Sequence, residues 1–197
     1  MKQFTYILTL LLLASCGQPK AEQASTTASD TTTTERVDLK DRLKPIKANF
    51  KRINAISNWC SIETEELWET TEGGEAKFYY QKGILEKIVT HHYGETFQLL
   101  TEYYLLNGEL SFVFAKHYQY NRHVYYDSTA MIENNDTEVF DVEKSKITEK
   151  RSYFENGKLF HQINQESDSP LTDDYLLQEE KEIKTYFDQL IGMTKKK

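Results

Sequence analysis

No apolar run in this chain is long enough to cross a bilayer. The longest, Phe4 to Ala14, covers eleven residues, and at about 1.5 Å of helical rise each it reaches roughly half of a ~30 Å hydrocarbon layer. Excess positive charge is missing too: 24 Lys and Arg stand against 31 Asp and Glu, a formal net charge of -7. Nucleic acid and anionic membrane surfaces select basic patches, so this balance argues against both as partners. No nucleophile elbow, phosphate-binding loop or His-Glu-x-x-His helix is present, which removes common catalytic signatures. The histidines do not suggest a metal site. His91 and His92 are strand neighbours that must point to opposite faces, and His117 and His123 have no ligand spacing. Glu63, Glu65 and Glu66 offer carboxylates, but a glycosidase pair must flank a cleft, which chain spacing does not establish. No cofactor is implied, and a non-catalytic role is expected.

The strongest positive signal is at the start of the chain. Lys2, the apolar run and the tetrapeptide Leu13-Ala14-Ser15-Cys16 together resemble the signal peptide and lipobox of bacterial lipoproteins. An ordinary secretory leader ends instead in an Ala-x-Ala-like site. The resemblance implies cleavage before Cys16, a diacylglycerol on its thiol, and a lipid-anchored protein of the cell envelope, since two or three acyl chains hold a membrane stably where one does not. Gly17, rather than Asp, follows the cysteine, which by the same resemblance favours the outer membrane of a Gram-negative envelope. With Cys16 acylated, Cys60 is the single free thiol. No intrachain disulfide can then form, and stability rests on packing. Cys60 is expected to be a buried, inert thiol beside Trp59.

Composition then divides the chain into a leader over residues 1–15, a tether over 16–34 and one globular domain over 35–197. The tether, rich in Thr, Ser and Ala without aromatics or branched aliphatics, cannot bury enough surface to offset its chain entropy. Leu39, Leu43, Ile46, Phe50 and Ile53 form one apolar stripe at helical spacing. Pro45 interrupts it, so a short turn followed by a main helix from about Pro45 to Ser57 is expected. From Trp59 to Asn164 the pattern becomes strands separated by Gly turns, with Asp127 to Thr137 the longest loop. Asp173 and Asp174 open a closing helix that Gly192 ends.

Three of the turns repeat one pattern: Tyr79-Tyr80-Gln81-Lys82-Gly83-Ile84-Leu85, Tyr104-Leu105-Leu106-Asn107-Gly108-Glu109-Leu110 and Tyr153-Phe154-Glu155-Asn156-Gly157-Lys158-Leu159. They resemble the hairpin unit of MORN-type repeats, particularly the variant of bacterial toxin-antitoxin components, although their glycines lie 25 and 49 positions apart rather than at one period. With straight two-residue hairpins, Tyr80, Leu105 and Phe154 face Leu85, Leu110 and Leu159 on the core side. The same register pairs Tyr103 with Phe112 and Thr101 with Phe114, so both phenylalanines should be buried.

Tyr79, Tyr104 and Tyr153 fall on the opposite face, with Glu102 and with His117 opposite Gln98. Such a face could dock a protein or glycan partner in the envelope; tyrosine is equally an ordinary strand residue. The expected architecture is an α+β domain: an antiparallel β-meander of about six to eight strands with the N- and C-terminal helices packed on one face. The expected function is a membrane-tethered, non-catalytic binding or interaction module, of immunity or inhibitor type by the hairpin resemblance, with a small envelope hydrolase of glycan or peptide as the alternative.

Overall fold

The computed structural model describes residues 30–165 and 171–194; the leader, Cys16 and the tether up to residue 29 lie outside the described residues. Two compact units part between Val37 and Asp38; the first helix begins in the first unit, and the contacts described below lie within the second. The first helix, α1, spans Asp30–Asn54 and has Pro45 in its interior. It therefore starts inside the expected tether and has no turn ahead of Pro45. An interior proline forfeits one backbone bond, a loss offset by burying Leu43, Ile46, Asn49 and Ile53.

Seven strands follow, β1 (Ser61–Leu67), β2 (Gly74–Gln81), β3 (Ile84–Tyr93), β4 (Phe97–Leu106), β5 (Glu109–Gln119), β6 (Lys146–Glu155) and β7 (Lys158–Asn164). They pair antiparallel in the order β1-β2-β3-β4-β5-β6-β7, an uninterrupted meander. The β5–β6 connection holds a short helix, α2 (Ser128–Glu133), within the stretch read as loop, and a one-turn helix Val142–Lys144. Asp127 starts α2 by accepting from the Thr129 and Ala130 amides at 2.9 and 3.0 Å. The closing helix, α3, spans Asp173–Thr194 and passes through Gly192.

Each of the three repeated turns places both central residues at positive φ: Lys82 and Gly83, Asn107 and Gly108, Asn156 and Gly157. That is the type I′ geometry whose twist matches the flanking strands. Each is followed by the same irregularity. Tyr80 pairs with Leu85 but Tyr79 with Lys87; Leu105 pairs with Leu110 but Tyr104 with Phe112; Phe154 pairs with Leu159 but Tyr153 with His161. Glu86, Ser111 and Phe160 are thus single extra residues on the second strand of each hairpin. A bulge of this kind breaks the two-residue alternation of faces.

The bulge revises the expected register. Phe112 lies opposite Tyr104, Phe114 opposite Glu102, and Val113 opposite Tyr103. The helices consequently pack on opposite faces of the sheet rather than on one. On one face, Phe78, Ile88, Tyr103, Val113, Phe154 and Leu159 are buried with Leu190, Ile183, Tyr186 and Phe187 of α3. On the other, Tyr104, Phe112 and Tyr153 are buried with Leu43, Ile46 and Ile53 of α1, while Phe50, Trp59, Phe114 and Phe160 pack around them. Phe112 is fully buried, as expected; Phe114 is half-buried.

Two stability predictions follow from this layering. Phe112→Ala removes the ring at the centre of the α1 layer and should cost ~3–5 kcal/mol, measured by urea unfolding. Among the described residues Lys82 is the one turn residue at positive φ that is neither Asn nor Gly, so Lys82→Asn should stabilise by roughly 0.5–1 kcal/mol, about 2 °C in Tm.

Candidate functional site

The tyrosine row lies on one face as the sequence implied, but α1 and Trp59 cover it. Tyr104 is 1% exposed and Tyr153 7%. Tyr104 packs against Phe50 at 5.0 Å and Phe112 at 5.7 Å between ring centroids. Its hydroxyl donates to Glu102 Oε2 at 2.7 Å and accepts from Asn54 Nδ2 at 3.1 Å. Burial and the Glu102 carboxylate both push its pKa far up, so the phenol stays neutral. Tyr79 is half-buried, edge-on to Trp59 at 5.2 Å, with Lys87 Nζ 5.0 Å from its ring centre. These tyrosines form a second packed layer and not an open recognition face.

Glu102 shares that face: Lys87 Nζ stands 3.6 Å from its carboxylate. His117 does not. The bulge places it opposite Leu99, on the α3 side, in a cleft of about 230 Å³ lined by Leu99, Ala115, Thr148, Lys150 and Asn164. Burial opposes the Lys150 charge, but two bonds to Glu179 at 2.9 Å outweigh it and hold the amine protonated. His91 and His92 point to opposite faces. His91 Nδ1 meets Tyr93 Oη at 2.7 Å, and His92 Nε2 meets Tyr186 Oη at 2.9 Å.

Beside α1, a groove of about 200 Å³ opens onto the sheet, lined by Ile46, Lys47, Phe50, Phe112, Arg151 and Tyr153. Its floor is aromatic: Phe50 meets Phe112 edge-on at 5.5 Å, and Phe112 lies 4.9 Å from Tyr153. His161 stacks on the far side of Tyr153 at 5.4 Å. Burial first, and Lys47 second, lower the His161 pKa, so the imidazole is neutral at pH 7. The rim is cationic. The Arg151 guanidinium sits 5.3 Å over the Phe114 ring and bonds Glu149, and Lys47 is exposed. An apolar cavity of ~150 Å³ accommodates a benzene ring, so this groove has room for one ring or one branched side chain. Of the expected interaction residues, only Tyr153 contributes to it.

Two further aromatics stand out by exposure. Trp68, in the β1–β2 turn, is 78% exposed and Tyr125 is 62% exposed. Tyr125 Oη donates to Glu72 Oε2 at 2.7 Å, tying the β5–β6 connection to that turn. Both sit in irregular segments where no periodicity marks them. Cys60 is exposed rather than buried, and its Sγ accepts from the Lys82 amide at 3.4 Å.

No helix among the described residues is long and apolar enough to cross a membrane, and no group of three or more His, Cys, Asp or Glu there is placed to hold a metal. No protein-family model matches the chain, and neither a curated protein nor a solved structure does.

Buried His92 and half-buried His161 give the domain a pH dependence. Burial is the first cause that lowers the His92 and His161 pKa values below 6.5. The unfolded chain then binds more protons than the folded one as pH falls below ~6.5, so stability declines in that direction. Unfolding free energy should fall between about pH 7 and pH 5.5, above the carboxylate range. The His92→Gln/His161→Gln variant should show a flatter slope in urea titrations over that window.

Proposed function

We propose that this protein is a membrane-tethered lipoprotein of a bacterial envelope, anchored through Cys16, whose globular domain acts as a non-catalytic binding module. The observation that carries the binding role is the groove beside α1. It has a preformed aromatic floor and a cationic rim, held by helix and strand residues that are already packed and therefore bind without a large ordering cost. Its size suits a single inserted group, one side chain of a protein partner or one sugar ring of a glycan. Tyr and Phe supply apolar area to either, and Arg151 and Lys47 supply donors. The immunity or inhibitor role belongs to this reading as its protein-partner form, supported by the resemblance of the three hairpins to toxin-antitoxin repeats.

The alternative, a small hydrolase of envelope glycan or peptide, would draw on the cleft that holds His117. The two sites lie on opposite faces of the sheet, so substitution separates them.

Attachment is tested by detergent partition: wild type should enter the detergent phase and Cys16→Ser should not. Binding is tested with a photo-crosslinking residue in place of Lys47 and, as control, Lys181 on the exposed side of α3. A discrete adduct in envelope fractions from position 47 alone supports the groove. Equal adducts from both positions, or none from 47, refute it. Release of soluble fragments from isolated envelope material, abolished by His117→Ala, would move the function to the hydrolase.

A further inference from the structure

The charge of α1 is opposite to that of the chain that carries it. Between Asp38 and Asn54 the helix holds Lys40, Arg42, Lys44, Lys47, Lys51 and Arg52 against Asp38 and Asp41, in a protein of net charge -7. These cations are sorted by side. Arg42 pairs with Glu155 at 2.9 Å and lies 4.0 Å over the Phe160 ring, and Arg52 pairs with Glu86 at 2.6 Å. Both arginines are committed to the bulges of the sheet.

The four lysines are not. At about 100° per residue, Lys40, Lys44, Lys47 and Lys51 fall within roughly 60° of one another on the helix, and all four are exposed. Lys40, Lys44 and Lys51 have no ion pair among the described residues. The buried stripe of Leu43, Ile46 and Ile53 faces the sheet, so the lysine flank faces away from the core. Net charge averages this flank away, which is why composition argued against an anionic surface.

The position of α1 in the chain indicates what the flank meets. Asp30 follows Cys16 by 14 residues, at most ~50 Å of extended chain. An acyl group on Cys16 would therefore keep the start of α1 within that reach of the membrane. We propose that Lys40, Lys44 and Lys51 on this flank of α1 dock on the anionic phosphate headgroups of that membrane, while Lys47 borders the groove. The proposal rests on the lipid attachment argued above. It gives the anchor a second, electrostatic contact, the arrangement by which basic patches reinforce acyl chains. Each lysine near an anionic leaflet adds roughly fivefold to affinity, and the contact weakens as salt shortens the Debye length.

The test uses full-length chain with Cys16→Ser, so that binding does not depend on acylation, and sedimentation with lipid vesicles. The protein should sediment with phosphatidylglycerol-containing vesicles, stay in solution with pure phosphatidylcholine, and be released by salt. Lys40→Glu/Lys44→Glu/Lys51→Glu should lower the affinity by more than tenfold with an unchanged melting temperature, whereas Lys158→Glu/Lys181→Glu should not. Three results would each overturn the proposal: no binding to the anionic vesicles, equal binding to neutral ones, or an unaffected triple variant. Loss of binding with a lowered melting temperature calls for Lys→Gln at the same three positions, which must reproduce the loss in a folded protein for the proposal to stand. Detergent partition of the wild type reports acylation separately, so either idea can fail alone.

Discussion

Everything in this domain depends on one extra residue, placed three positions after the turn glycine in each of three hairpins. A strand that alternates strictly would put Leu110 and Phe112 on the same face. With Ser111 inserted between them, Leu110 packs toward α3 and Phe112 toward α1. The same holds for Leu85 and Lys87 around Glu86, and for Leu159 and His161 around Phe160. The bulges thus give the sheet two apolar faces at its hairpin end, and two helices are needed to cover them.

The bulges also anchor α1. Glu86 receives Arg52, and Phe160 lies under Arg42. At the middle hairpin Asn49, itself buried, donates to the Leu105 carbonyl at 2.8 Å, and Ser111 Oγ donates to the Tyr104 carbonyl at 2.9 Å. Irregular backbone in an apolar layer would be costly without such partners. Asn49 in turn accepts from Arg52 at 2.8 Å, so ion pair, amide and bulge form one connected set.

Element types were largely legible in the sequence, because turn chemistry and apolar spacing are local. Asn-Gly and Lys-Gly marked the hairpins, and the pairs Tyr80–Leu85, Leu105–Leu110 and Phe154–Leu159 stand as read. What lay beyond the turn was not legible. A bulge leaves no composition signal, since Glu86, Ser111 and Phe160 share no property, and strict alternation therefore puts Phe112, Phe114 and His117 on the wrong faces. The tyrosine row was placed on the correct face, but whether a helix covers that face is a tertiary fact. The sequence places the start of the main helix at Pro45 because a local penalty is visible in sequence while the packing that outweighs it is not. The groove is not legible for a related reason: Lys47 and Phe50 come from one end of the chain and Arg151 and Tyr153 from the other.

The strand order carries a consequence for how the chain reaches this state. Every strand pairs with its sequence neighbour, so the sheet can grow hairpin by hairpin with small loop-closure entropy at most steps; only the connection holding α2 requires a longer closure. α1 is different. Its partners Tyr104 and Glu155 lie 50 or more residues away, at separations of 50 from Asn54 and 113 from Arg42, and they share one surface only after β4, β5 and β6 have paired. α1 therefore leaves the ribosome before the surface it covers exists, and until β4, β5 and β6 have paired its apolar stripe has no sheet to cover.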